Sequence, residues 1–251
     1  MLSLRKNQLA TALLLLTPCL SFADEVKVAV AANFAKPLEE IGKSFQKDTG
    51  HTLLISSGAT GKLFVQIQNG APFEVMVSAD SKTPGKLVKE ELALADTQFT
   101  YAKGKLVLWS ANANTVDSKG EVLKTGNYAH LAVGNPKTAP YGAAAYEVLE
   151  KLGLMATVKS KFVQGENITQ VKQFVETGNA ELGFVAASQA YKDGKLIQGS
   201  AWEVPLDMYS PLTQDAVLLK KGTDNPAATE LLNYLKGDKA KAIIHSYGYI
   251  D

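Results

Sequence analysis

The sequence predicts an α/β fold made of mostly parallel sheets flanked by helices. Short apolar runs alternate with segments whose apolar residues recur at helical spacing, from Val26 to the C-terminus. Small-residue turns stand where several of those runs give way to helices. The chain is 46% hydrophobic and 20% charged, with a net charge of +1 and no block of one sign. Such a composition suits a globular chain and argues against disorder, a nucleic-acid surface or a polybasic membrane patch.

Residues 1–23 stand apart from the fold and read as a signal peptide. Arg5 and Lys6 precede the apolar run Leu9 to Leu16, and Ser21-Phe22-Ala23 places small residues where a signal peptidase cuts, after Ala23. The run is shorter than the roughly 20 residues of a membrane span. Cys19 is the only cysteine, and Pro18 stands where a lipoprotein site wants a small residue, which argues against lipidation. The mature chain then has no thiol and no disulfide, so its stability rests on its core.

From there the elements follow in order. Glu25 to Ala31 alternates as a strand, Ala32-Asn33-Phe34 turns, and Pro37 fits the first turn of a helix with Leu38, Ile41 and Phe45 inside. Leu53-Leu54-Ile55 is the next strand. Ser56-Ser57-Gly58-Ala59-Thr60-Gly61-Lys62 is the turn after it, with Thr60 as N-cap of a helix carrying Leu63, Phe64 and Ile67. Val75 to Val77 is buried strand, and Pro84 marks the start of another helix. Lys105 to Ser110 and His130 to Gly134 are strands. The loop Asn135 to Gly142 leads into a helix with Ala145, Val148 and Leu149 inside. Phe162 to Gly165 leads to Asn167, an N-cap for the helix holding Val171, Phe174 and Val175. Leu182 to Ala186 and Gln214 to Lys220 are strands, a crossover lies near Trp202 to Tyr209, and helices from Pro226 and Ala240 finish the chain.

Four strand-to-helix junctions draw attention: Asn33, Ser57 to Thr60, Tyr141, and Asn167 with Ile168. A helix start leaves N–H groups unpaired and carries the positive end of the helix dipole, so it suits an anion. Ser57 and Thr60 add hydroxyl donors and Asn33 a side-chain amide. The plain reading makes Asn33 a turn residue, Tyr141 a packing ring and Ile168 a core residue. In parallel α/β sheets, however, ligands gather at the carboxyl ends of strands. Two junctions fall in each half of the chain, so a cleft between two lobes would bring all four together.

Familiar catalytic patterns are missing from the sequence. His51, His130 and His245 lack metal-ligand spacing, and there is no Gly-x-Ser-x-Gly or His-Glu-x-x-His motif. Gly58 to Lys62 is too short for a P-loop, and Leu63 stands where Ser or Thr would hold magnesium. Glu166 and Lys137 read as solvated loop charges. Neutral donors favour a fully deprotonated oxyanion, whereas hydrogen phosphate would want a carboxylate acceptor. The residues therefore point to a tetrahedral dianion of the sulfate or molybdate type.

The chain resembles the periplasmic molybdate-binding proteins of ABC importers, which have the type II binding-protein fold. The resemblance is carried by Val30-Ala31-Ala32-Asn33-Phe34, by Ser57 to Leu63, and by Gln66 to Phe73. It continues through Phe99 to Ser110, Asn135-Pro136 with Ala139 to Gly142, Leu182 to Val185, and Tyr234 to Gly237. It covers residues 24–251 and implies two lobes, each a mostly parallel sheet with flanking helices, with the ligand in the cleft. The expected division is residues 24–105 with 210–251 in lobe 1, and 106–209 in lobe 2.

By the same resemblance, molybdate or tungstate is held at Asn33, Thr60, Tyr141 and Ile168, with Ala32, Ser57, Ala59 and Asn167 as further contacts. Ala32 and Ala186 depart from family positions that often carry hydroxyl side chains. The implied protein is a periplasmic monomer that serves a membrane permease, binds no nucleic acid, has no cofactor and no direct metal ligands, and is not an enzyme. Other readings are a receptor for sulfate or another oxyanion, an exported hydrolase or transferase using the same cleft, and a partner of a signalling sensor.

Overall fold

The computed structural model describes residues 23–251. The leader and Cys19 lie outside the described residues, apart from Ala23. The strands are β1 (Glu25–Ala31), β2 (Thr52–Gly58), β3 (Val75–Val77), β4 (Phe99–Gly104), β5 (Leu106–Ser110), β6 (Leu131–Gly134), β7 (Phe162–Gly165), β8 (Leu182–Ala186), β9 (Tyr191–Lys192), β10 (Lys195–Leu196), β11 (Ser200–Glu203) and β12 (Leu212–Leu218). The helices are α1 (Ala35–Thr49), α2 (Thr60–Gln68), α3 (Lys82–Lys89), α4 (Val122–Thr125), α5 (Pro140–Lys151), α6 (Met155–Val158), α7 (Ile168–Glu176), α8 (Ala187–Ala190), α9 (Pro226–Lys236) and α10 (Asp238–Ser246).

Two five-stranded mixed sheets organise the molecule, with orders β2-β1-β3-β12-β4 and β7-β6-β8-β5-β11. The two orders are the same pattern, met twice. In each sheet four strands point one way and one is reversed: β12 in the first and β5 in the second. The reversed strand is the one that enters directly from the other sheet. It arrives without a crossover helix to turn the chain around, so it pairs antiparallel.

The chain passes between sheets at two places. β4 ends at Gly104 and β5 starts at Leu106, so Lys105 alone separates strands of different sheets. The return lies between β11 and β12. At these crossings Lys105 Nζ meets Glu203 Oε2 at 2.9 Å, and the Leu106 N–H donates to the Tyr209 hydroxyl at 3.0 Å.

Alternation along β1 shows why the first sheet is buried on both faces. Val26, Val28 and Val30 pack with Phe34, Leu38, Ile41 and Phe45 on one side, and with Leu231 and Leu235 of α9. Ala29 faces the other side, with Leu63 and Ile67 of α2 and Leu87 of α3. The second sheet has its own core around Leu108, Leu131, Val133, Leu149 and Phe184. Helix α1 stops at Gly50, whose φ of 85° a side chain would strain. Helix α3 begins at Lys82, two residues before Pro84, so the proline sits within the first turn where its missing N–H costs nothing.

Candidate functional site

Parallel neighbours place the four junctions. In the first sheet Ala31 pairs with Gly58 at the ends of β1 and β2, and in the second Gly134 pairs with Gly165 at the ends of β6 and β7. Strands that end level put their following turns side by side. Each turn then opens a helix: Ala32–Phe34 forms a short 3-10 turn that runs into α1, and the others open α2, α5 and α7.

The turns meet across the cleft. One small cavity, with a volume of about 10 Å³, is lined by Ala32, Asn33, Ala59, Thr60, Tyr141, Asn167 and Ile168, together with Ala31, Gly58, Ala79, Ala139 and Pro140. That space is about what one water needs, roughly 10–15 Å³. No charged side chain is among the lining residues. Larger clefts of about 470 and 400 Å³ flank it, and both carry charged side chains of both signs, such as Lys82 with Asp80 and Lys172 with Glu176. The small cavity brings together the starts of α2, α5 and α7 with the turn that leads into α1.

The lobes touch around it. The Gly61 N–H donates to the Thr138 carbonyl at 2.9 Å, and the Ser188 hydroxyl donates to the Asn33 carbonyl at 2.8 Å. Lys62 and Glu166 pair across the cleft. Glu166 is thus no free loop charge: it forms a half-exposed ion pair between lobes and stays out of the cavity.

The structure refines the role of each residue. Thr60 is not the N-cap. Ala59 holds that position, and Thr60 is the first helical residue. The reason is that Thr60 Oγ1 accepts the N–H of Ala79 at 3.3 Å, from the neighbouring strand end, rather than an N–H of its own helix. With its lone pair so engaged, the hydroxyl proton is available to the cavity, as is the Thr60 N–H at the start of α2.

Asn167 is the expected N-cap, its Oδ1 accepting from Gln170 N at 3.0 Å. Ile168 follows as the first residue of α7, buried, with its N–H outside any helical bond. Tyr141 follows Pro140 at the start of α5 in the same way.

Two expectations are corrected. The Asn33 side-chain amide does not point a free donor at the cavity. Nδ2 donates to Gln214 Oε1 at 2.8 Å and to the Tyr249 hydroxyl at 2.9 Å, because a buried amide must place both protons. Asn33 still lines the cavity, but with both side-chain protons already placed. Ser57 is absent from the small cavity and lines the 400 Å³ cleft, near Lys36 and Thr169. Side chains alternate along a strand, and Ser57 falls on the wrong side.

Sequence reasoning missed Gln214, Tyr249, Tyr101 and Ser188, which surround Asn33 and Tyr141 from below. A polar pair, Gln214-Asp215, opening an apolar strand was the one available signal. Burial pushes the hydroxyls of Tyr101, Tyr141 and Tyr249 well above the ordinary tyrosine value, so all three stay neutral.

Residues 26–250 match the family of bacterial extracellular solute-binding proteins. The chain belongs to that family. Among curated relatives, the molybdate-binding protein ModA of Azotobacter vinelandii is 59% identical over 234 residues, 93% of each chain. The molybdate-binding protein ModA of Rhodobacter capsulatus is 49% identical over 249 residues, 99% of this chain and 97% of the relative. The solved Azotobacter vinelandii periplasmic molybdate-binding protein superposes with a TM-score of 0.88 at 42% identity, covering 90% of this chain and 99% of that one. Among the described residues, no helix is long and apolar enough to cross a membrane.

Proposed function

We propose that this solute-binding protein is exported to the periplasm, captures molybdate or tungstate as a tetrahedral dianion, and delivers it to the permease of an ABC importer. It acts as a monomer, without cofactor and without catalysis. One observation carries the reading: a small cavity between lobes, ringed by helix starts and the Thr60 hydroxyl, with no charged side chain in its lining. The named activity of the relatives at 59% and 49% identity supports it.

The physics of such a site is direct. A dianion leaving water loses strong hydration. The N–H groups of Thr60, Tyr141 and Ile168, the turn at Asn33 and the Thr60 hydroxyl replace it with fixed donors in a low-dielectric space. Helices of lobe 1 and lobe 2 contribute opposite sides of the cage, so the cage is complete only when the lobes meet. Release breaks no ion pair to the ligand itself, only the half-exposed Lys62–Glu166 pair across the cleft; opening lets water return to the same donors. A cage set for a larger ion leaves long bonds to a smaller one such as sulfate, and each poorly met buried donor costs about 1–3 kcal/mol.

The test is calorimetric titration of the purified mature protein with molybdate, tungstate and sulfate, with melting temperature followed in parallel. Molybdate and tungstate are expected to bind and to raise the melting temperature, by about 2.7 kcal/mol of stability at a hundredfold excess over Kd. Sulfate is expected to do much less. A chain that binds sulfate as tightly as molybdate is a general oxyanion receptor, and one that binds neither overturns the reading.

A further inference from the structure

Below the cavity lies a buried polar cluster that none of the anion-holding roles accounts for. Its centre is Gln214, on β12 just after the chain returns to the first lobe, and wholly buried. Its Oε1 accepts from Asn33 Nδ2 at 2.8 Å and lies 2.9 Å from the Tyr101 hydroxyl. Its Nε2 donates to the Tyr141 hydroxyl at 2.9 Å. One carboxamide thus joins a cavity residue of the first lobe to a cavity residue of the second. With its carbonyl turned to the Asn33 amide, its NH2 faces Tyr141, so the group has one satisfied orientation.

Gly104 completes the arrangement. A Cβ there would fall 2.0 Å from the Tyr141 hydroxyl oxygen and 2.4 Å from Gln214 Nε2. Gly104 is the last residue of β4, the strand that leaves the first lobe, and it pairs with Leu212 of β12. The Tyr141 ring therefore rests its hydroxyl on both strands that cross between the lobes. The same residue's backbone opens α5 at the cavity.

We propose that Gln214 is a positioning residue that ties the cavity-facing start of α5 to the two interlobe strands, so that the donor cage and the hinge between the lobes move as one. Gln214 touches no ligand; it acts through Tyr141 and Asn33. The inference rests on the anion-receptor reading given above. Its consequence is that the bond between Gln214 and Tyr141 sets how long the closed cage persists, and so governs ligand dissociation.

Four forms of the protein decide it, with molybdate affinity and dissociation rate as readouts: wild type, Gln214→Leu, Tyr141→Phe and the double variant. Tyr141→Phe keeps the backbone N–H at the cavity and removes only the hydroxyl. Gln214→Leu is expected to weaken binding about tenfold, mainly through faster dissociation, since it removes a buried bond network. Tyr141→Phe is expected to weaken binding by a smaller factor in wild type and to have no further effect in the Gln214→Leu background. Equal effects of Tyr141→Phe in both backgrounds, or wild-type dissociation from Gln214→Leu, would overturn the proposal.

If Gln214→Leu does not fold, Gly104→Ala takes its place, because its methyl displaces the same hydroxyl. Tyr141→Phe is again expected to add nothing in that background, and an additive loss refutes the coupling. Failure of wild type to bind molybdate would sink the receptor reading itself. Normal wild-type binding with unaltered variants would sink only the role of Gln214.

Discussion

The N–H of Gly61, at the start of α2 in the first lobe, donates to the carbonyl of Thr138 in the second lobe at 2.9 Å. A Cβ on Gly61 would lie 3.1 Å from Thr138 Cα and 3.3 Å from its carbonyl oxygen. Backbone meets backbone here, so an added methyl would press on Thr138 and the lobes would have to give by a few tenths of an ångström. Gly61→Ala is therefore expected to hold the lobes apart and to weaken molybdate binding by about 1 kcal/mol or more. Calorimetry gives the loss, and small-angle scattering should show a larger apparent radius with ligand present. Unchanged affinity would mean that this contact plays no part in closure.

Thr60 offers a hydroxyl whose oxygen already serves the Ala79 N–H. Thr60→Ala is expected to cost about 1–2 kcal/mol of binding, while Thr60→Ser restores most of it. Equal affinities for the alanine and serine variants would remove the hydroxyl from the cage and leave only the backbone N–H.

Asn33→Asp places a carboxylate where Gln214 Oε1 and the Tyr249 hydroxyl now receive protons. The variant loses both donors, sets acceptor against acceptor, and adds negative charge beside the small cavity. Both binding and melting temperature are expected to fall. A normal melting temperature with normal affinity would show that the cluster tolerates the charge and that Asn33 is outside the site.

Affinity is expected to stay level from about pH 6 to pH 9, because the lining holds no carboxylate, histidine or lysine and burial raises Tyr141 well above its ordinary value. Calorimetry across that range checks it; a steep step would reveal a titrating donor.

Acid acts elsewhere. Glu40 of α1 is held below its ordinary carboxylate value, first by a hydrogen bond from Lys192 of β9, at 2.9 Å, and further by Tyr247. The Tyr247 hydroxyl is itself pushed up to about 12, chiefly by burial. A lowered carboxylate contributes stability that is full above its unfolded value of 4.5 and lost as pH falls through the folded one. Glu40→Gln is therefore expected to destabilise the protein slightly at neutral pH, with the difference vanishing in strong acid. Urea melts of the two proteins between neutral pH and pH 3 measure this, and a difference that persists in acid would assign it to packing.

Local chemistry alone marked the strand-to-helix junctions that line the small cavity. Apolar runs followed by small or capping residues declare helix starts, and helix starts carry unpaired N–H groups wherever they lie in space. Thr60, Tyr141, Asn167 and Ile168 were legible for that reason, as was the alternation that demands two-layer α/β packing. What the tertiary structure decided is where side chains turn once the lobes exist. The Asn33 amide faces Gln214 and Tyr249, 181 and 216 residues away, and nothing near it in the chain announces those partners. Ser57 and Thr60 look equivalent as neighbouring hydroxyls, yet the strand's alternation sends one to an open cleft and the Ala79 N–H holds the other at the small cavity. Burial is the physical reason: a polar group deprived of water must find its partner through space, and the order of residues along the chain does not say who that partner is.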